Sequence, residues 1–221
     1  MKPGRKLRPA DYADDNPARM ARFFLGKVLC VQAPDGYAEG LITETEAYGG
    51  IEDAACHAHL NRRTQRTQIM YAPGGVAYVY LCYGLHHLFN IITGPKDNPQ
   101  AVLVRAVQII EGHAVVWKRR RGVKEKDWAS GPGRVCSALA IGLHHYGHDL
   151  AGETIWIEDR GIRVPKKQVT TGPRVGIDYA GAWVKVPWRF IWKPPDPSPK
   201  NPGQPVAAHF PLNRRTQNPS S

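Results

Sequence analysis

LITETEAYGGIEDAACH, residues 41–57, is the stretch on which a reading of this chain turns. Its first half alternates as a strand does: Ile42, Glu44, Glu46 and Tyr48 share one parity, and Leu41, Thr43, Thr45 and Ala47 the other. A strand wet on both faces has no use for Ile42 and Tyr48 beside two glutamates. A strand whose one face lines a half-apolar cleft does. Gly49-Gly50 permits a sharp turn, and Ile51–Ala55 opens a short helical turn that returns His57 toward the strand end. The competing reading is an edge strand with solvated glutamates.

Working outward, Pro34-Asp35-Gly36 is a turn between strands 27–33 and 38–48, so the carboxylates sit on the second strand of a hairpin. Upstream, Asp15-Asn16-Pro17 should start a helix with Met20, Phe23 and Phe24 on its apolar face. Downstream, 76–83 (VAYVYLCY) is a strand that puts Tyr78, Tyr80 and Cys82 on one face. It pairs with 88–93 across a tip at 83–87. A tip carrying Tyr83 and Leu85 is costly to leave in water, which suggests insertion into a partner; the alternative is that it folds back on its own domain. Residues 101–108 read as a buried strand interrupted by Arg105, whose natural partner is Glu46 or Glu44. Residues 109–121 read as helix and 132–141 as another, followed by short strands at 154–158, 163–165, 174–177 and 188–192. The expectation is one α+β domain over 14–193, with a curved, mostly antiparallel sheet, partly open and barrel-like, surrounding helices and a projecting β-hairpin. Residues 1–13 read as a flexible basic arm, and 194–221 as a disordered, proline-rich tail.

The chain carries 30 Lys and Arg against 19 Asp and Glu, a net charge of +11. That balance favours a polyanionic partner, nucleic acid first, over a merely solubilising surface. Arg62, Arg63 and Arg66 lie in a loop rich in Thr and Gln, suited to phosphates. Lys118, Arg119, Arg120 and Arg121, followed by Lys124 and Lys126, exceed what a helix C-terminus needs. No apolar run approaches the ~20 residues of a membrane span, and the charged N-terminus lacks the apolar centre of a signal peptide. A cytoplasmic protein is expected, nucleoid-associated in a bacterium. Cys30, Cys56, Cys82 and Cys136 are scattered, with no CxxC pair and no metal framework. Leu212–Gln217 repeats Leu60–Gln65 letter for letter, which suggests a duplicated scrap or a tail that competes with the loop for phosphates.

Taken together, the chain resembles the alkyladenine (3-methyladenine) DNA glycosylase family. The resemblance runs from about Pro17 to Trp192 through ETEAY at 44–48, GIEDAACH ending at His57, AYVYLCYG at 77–84, Asn90 and VLVRA at 102–106. SGPGRVCSALAI at 130–141 and PRVGIDYAGAW at 173–183 add support. It implies that Glu46 is the general base, activating a water against C1′ of a flipped nucleotide. Arg105 and the carbonyl of Val175 would help hold that water. Tyr48, His57 and Tyr80 would stack on the purine, with Asn90 excluding oversized or amino-bearing bases, and Tyr83 would plug the duplex. Arg62, Arg63, Arg66 and Lys118–Arg121 would contact the DNA backbone. The family uses no cofactor, no metal and no lyase lysine, and it acts as a monomer on double-stranded DNA. The tip reads LHHLFN here, so His86 and His87 stand where members often carry Met, Tyr and Cys. Two other readings remain open. One is a metal-dependent hydrolase using Asp53, Cys56, His57 and His59, or His144, His145 and His148; the other is a damage-binding protein without catalysis.

Overall fold

The computed structural model describes residues 4–195. In chain order the strands are β1 (Arg5–Lys6), β2 (Val28–Ala33), β3 (Gly36–Tyr48), β4 (Ala77–Cys82), β5 (His86–Thr93), β6 (Gln100–Glu111), β7 (Ile155–Asp159), β8 (Val169–Gly172) and β9 (Arg189–Trp192). The helices among the described residues are α1 (Pro17–Phe24), α2 (His113–Arg119) and α3 (Pro132–Leu139). All strands pair antiparallel in one curled sheet, ordered β1-β7-β2-β3-β6-β5-β4, with β9 on β3 and β8 on β9. The architecture is α+β, as the sequence predicts.

Strand β3 is the axis of this sheet. Its 13 residues pair with β2 at one end, with β6 along nearly the whole length, and with β9 at Glu44–Glu46. Glu46 therefore lies between two strands, not on an edge. One face of β3 carries α1, where Thr45 Oγ1 donates to the Ala21 carbonyl at 2.8 Å. Helix α1 starts where its signals place it: Asn16 accepts from the Arg19 N–H at 2.9 Å, and Pro17 fills the first turn. The main core runs beneath α1 and α3, through Phe24, Leu29, Ile42, Phe89, Val104 and Leu139. A second, smaller cluster (Cys56, Met70, Tyr71, Tyr78, Ile92) forms under the loop that follows β3.

Several sequence expectations give way here. Ile42 is buried in the main core and does not share the cleft with Glu44 and Glu46. The β3–β6 register shifts between Ile42 and Glu44 and again before Thr45. Such an irregularity breaks the two-residue period. The segment 109–121 is not one helix: β6 continues to Glu111 because β3 is long enough to pair it, and Gly112 (φ 79°) separates it from α2. Residues 163–165 and 174–177 form no strand, while β8 was not anticipated. The arm is not loose from Gly4 on: β1 pairs with β7, and Leu7 and Tyr12 are buried. Apolar side chains at positions 7 and 12 outweigh the basic composition around them. The tail from residue 196, including its LNRRTQ repeat, lies outside the described residues. Among the described residues no helix is long and apolar enough to cross a membrane.

Candidate active site

Cross-strand register assembles the site. Reading across the sheet, Arg189 (β9), Glu46 (β3), Leu103 (β6), Asn90 (β5) and Tyr78 (β4) are successive partners. Directly opposed residues share a face, so residues far apart in sequence form one row. Tyr48 and Tyr80, two residues along their strands from Glu46 and Tyr78, lie on the same side.

Glu46 is wholly buried, and three donors converge on its carboxylate. The Val175 N–H donates to Oε1 at 2.8 Å and the Tyr48 hydroxyl to Oε2 at 2.9 Å. Arg105 Nη1 stands 3.3 Å from Oε2. Glu44 binds the other side of the same guanidinium (Arg105 Nε donating at 2.8 Å) and also accepts from Arg189 Nε at 2.7 Å. Both partners suggested for Arg105 are therefore used. Burial pushes the Glu46 carboxyl above the ordinary range, against the opposing pull of Arg105, the Val175 amide and Tyr48. Burial works against the Arg105 charge as well, but Glu46 and Glu44 overcome it and hold the guanidinium above its usual value. The result is a carboxylate that is short of water, more basic than usual and fixed in orientation. Val175 meets Glu46 through its backbone N–H.

Aromatic rings stand beside this carboxylate. His57 Nδ1 meets the Tyr78 hydroxyl at 2.7 Å, and its ring packs edge-on to Tyr80 with centroids 4.6 Å apart. Burial, helped by Arg66 and Arg62, pushes His57 down to about 4, so it is neutral at pH 7. Tyr80 and Tyr48 are half-buried, and burial raises both phenols. Asn90 is buried and donates to the Tyr78 carbonyl at 3.2 Å. The structure thus brings Glu46, Arg105, Val175, Tyr48, His57, Tyr80 and Asn90 to one face and end of the sheet. Asp53, offered above as a metal ligand, is fully engaged: it accepts from the Gly49 and Ala55 amides and from Arg174. Among the described residues no three His, Cys, Asp or Glu side chains converge as a metal site would need.

The β4–β5 hairpin projects from the same end. Its tip is Tyr83-Gly84-Leu85, shorter than 83–87, with His86 and His87 already on β5. Tyr83 (φ 51°) and Gly84 (φ 70°) form a two-residue turn closed by the Leu85 N–H to the Cys82 carbonyl at 3.0 Å. Tyr83 is 91% exposed and Leu85 77%. A bulky residue in left-handed backbone costs about 1–2 kcal/mol, and an exposed ring recovers none of it through packing.

The cations divide into two groups. Arg62, Arg63 and Arg66 are exposed on the loop beside His57, although Arg63 also meets Asp97 at 3.2 Å and stacks on Tyr71. Arg119, by contrast, is a structural tie. Its guanidinium donates to both Asp35 oxygens, to the Gly36 carbonyl and to the Ala138 carbonyl. Asp35 precedes β3 and Ala138 lies on α3, so Arg119 ties the turn before β3 to α3. Of its neighbours, Lys118 and Arg121 are exposed and Arg120 is partly buried. Sequence reasoning missed Arg174 and Arg189, both of which bind carboxylates of the 41–57 stretch. The available signal was the excess of acids there over assigned basic partners. Exposed Tyr179, on the loop after Val175, was also missed.

The comparisons with known proteins agree with this geometry. The family model described as methylpurine-DNA glycosylase matches residues 11–195. A Bacillus licheniformis protein named "Putative 3-methyladenine DNA glycosylase" is 41% identical over 190 residues, covering 86% of this chain and 95% of the relative. A Chlamydia abortus protein of the same name is 41% identical, covering 81% and 94%, and one from Bacillus subtilis is 37% identical, covering 82% and 91%. A match over nearly all of the described chain, on a sheet whose register gathers the motif residues at one end, places this chain in the methylpurine-DNA glycosylase family.

Proposed function

We propose that the protein is a monofunctional DNA glycosylase of base excision repair. It flips an alkylated or deaminated purine from duplex DNA and hydrolyses its N-glycosidic bond. The substrate class is 3-methyladenine first, with 7-methylguanine, hypoxanthine and ethenoadenine as candidates. The observation that carries this reading is the buried Glu46 carboxylate, met by three donors at the end of the sheet that bears the exposed tyrosine hairpin. A protein that only binds DNA gains nothing from burying a carboxylate at such desolvation cost.

The steps follow from the chemistry. A base in the stack hides C1′, so it is extruded, and Tyr83 fills the gap. The flipped purine enters between Tyr48, Tyr80 and His57. A purine methylated at N3 or N7 is cationic in the nucleotide, and the faces of the tyrosines attract it. Neutral His57 does not repel it. Asn90 limits the space at the pocket floor. Glu46 accepts a proton from water as the water oxygen bonds to C1′, and the C1′–N bond breaks with its electron pair leaving on the base. The base departs neutral from a cationic N3- or N7-methylated purine and takes up a proton from solvent when the lesion is neutral. The free base and an abasic sugar with a C1′ hydroxyl result. The Glu46 charge also favours positive charge developing on the sugar, while Arg105 keeps the carboxylate ionised and aimed. Arg62, Arg63 and Arg66 take phosphates beside the cleft.

The test is incubation with a duplex bearing one central ethenoadenine or hypoxanthine, and separately with methylated DNA, in chelator. Free base and an alkali-labile abasic site are expected. Binding without release from any lesion would leave a damage-binding protein, and release that requires added metal would favour a metal-dependent hydrolase.

A further inference from the structure

Behind the candidate site lies a buried ion pair that the reaction above does not use. The side chains of Arg174 and Asp53 are both 0% exposed. Arg174 Nη1 donates to Asp53 Oδ2 at 2.5 Å and to the Ala47 carbonyl at 2.9 Å, and Nη2 donates to Oδ1 at 2.8 Å. Asp53 accepts as well from the Gly49 N–H at 2.9 Å and the Ala55 N–H at 3.0 Å. The guanidinium lies 4.8 Å from the Tyr48 ring centroid and 5.3 Å from Trp188. One residue on, the Val175 N–H binds Glu46 Oε1.

Stability is a poor explanation for this pair. Burying two charges at best roughly breaks even against well-packed apolar residues, and here Arg174 Nε is buried without a partner. What the pair does is geometric. It joins the end of β3, through Ala47 and Gly49, to the start of the 174–181 loop. Beyond that point the loop is exposed at Val175 and Tyr179 and turns through Gly176 at φ 75°. Ile177 and Ala180 are its remaining buried apolar anchors.

We propose that Arg174, locked by Asp53, is a positioning residue of the catalytic centre: it aims the Val175 amide at Glu46 and backs the Tyr48 ring. This rests on Glu46 being the general base. The bidentate fork matters more than the charge, because a lysine cannot reach both Asp53 oxygens and the Ala47 carbonyl with fixed geometry. When the fork is lost, the Val175 amide drifts from Oε1. Glu46 then loses a donor that stabilises its ionised form. The other groups facing Glu46 are Glu44 and Tyr48 on its own strand, Arg105 on β6, Arg189 on β9 and Tyr80 on β4. All are retained in the variants below.

The test uses the full chain and compares native protein, Arg174→Lys, Asp53→Asn and Glu46→Gln. Single-turnover base release is measured as a function of pH and normalised to the folded fraction by binding of an abasic-analogue duplex. Arg174→Lys and Asp53→Asn should both move the acid limb to higher pH and lower the rate at pH 7 on the order of tenfold, with recovery in alkali. A lower melting temperature with an unmoved acid limb and a native rate per folded molecule would overturn the proposal, and so would an inactive variant that alkali does not rescue. If one variant does not fold, the other decides. An active Glu46→Gln would instead refute the assignment of the base, and with it any positioning role exerted through Glu46.

Discussion

Replacing Tyr48 with Phe separates the two jobs assigned to that side chain. The ring stays, so stacking on a flipped base is kept. The hydroxyl that donates to Glu46 Oε2 at 2.9 Å is lost. Glu46 is wholly buried, so water cannot readily replace it. A hydrogen bond to a charged group contributes about 1.5–3 kcal/mol. Arg105 still stands 3.3 Å from the same oxygen, which puts the loss at the lower end, near 1.5 kcal/mol or roughly tenfold in rate. The sign of the pH effect is fixed. Tyr48 is one of the groups that pull the Glu46 carboxyl down against burial. Its removal therefore moves the acid limb of activity to higher pH, and the deficit shrinks in alkali. The assay is single-turnover base release with enzyme in excess, from pH 5 to 9, beside affinity for an abasic-analogue duplex. Expected are unchanged affinity, a slower rate at pH 7 and a displaced acid limb. An unchanged rate and profile would refute the hydrogen-bonding argument, and a loss traced wholly to weaker DNA binding would show the hydroxyl to be a DNA contact.

Other outcomes follow from the same geometry. Tyr83→Gly should raise folding stability by up to about 1 kcal/mol, since it relieves a positive φ on an exposed residue; base release and lesion binding should nevertheless fall, and full activity would remove Tyr83 as the wedge. Arg66→Ala should reduce the salt slope of DNA binding by about one with little change in melting, whereas Arg119→Ala should lower stability by about 2 kcal/mol and leave the slope alone; the reverse pattern would make Arg119 the DNA contact and Arg66 the structural tie. His57 and His145 are both pushed down to about 4, chiefly by burial. A histidine depressed in the folded state loses stability as pH falls through its unfolded value near 6.5, so between pH 7 and pH 5 each should contribute a loss of about 2 kcal/mol. Denaturant titrations should show that slope flattened in His57→Gln and His145→Gln; an unchanged slope would mean these imidazoles are already protonable when folded.

Much of the site was legible because strand residues and their motifs carry periodic signals. The parity of Glu44, Glu46 and Tyr48 survives in the structure, and Arg105 takes both carboxylates suggested for it. The parity failed at Ile42, where a register shift decided by pairing with β6 leaves no mark in composition. The 109–121 stretch misled because branched residues, followed by a basic run, suit a strand and then a helix as well as one long helix. Only the length of the partner strand decides between them. Arg119 shows a different limit: its charge is visible in the sequence, but its tie to Asp35 and the Ala138 carbonyl is not. Arg174 was illegible as a functional residue, because its role depends on a loop whose only regularity is what it touches.

The most direct test of the account compares native protein with Glu46→Gln in chelator, on a single-lesion duplex and on methylated DNA. Base release and lesion binding are followed in the same samples. Expected are release that leaves an abasic site in the native protein, loss of release in the variant, and lesion binding that persists. Release surviving in Glu46→Gln, or lesion binding and release vanishing together in a folded variant, would contradict Glu46 as the base that activates water.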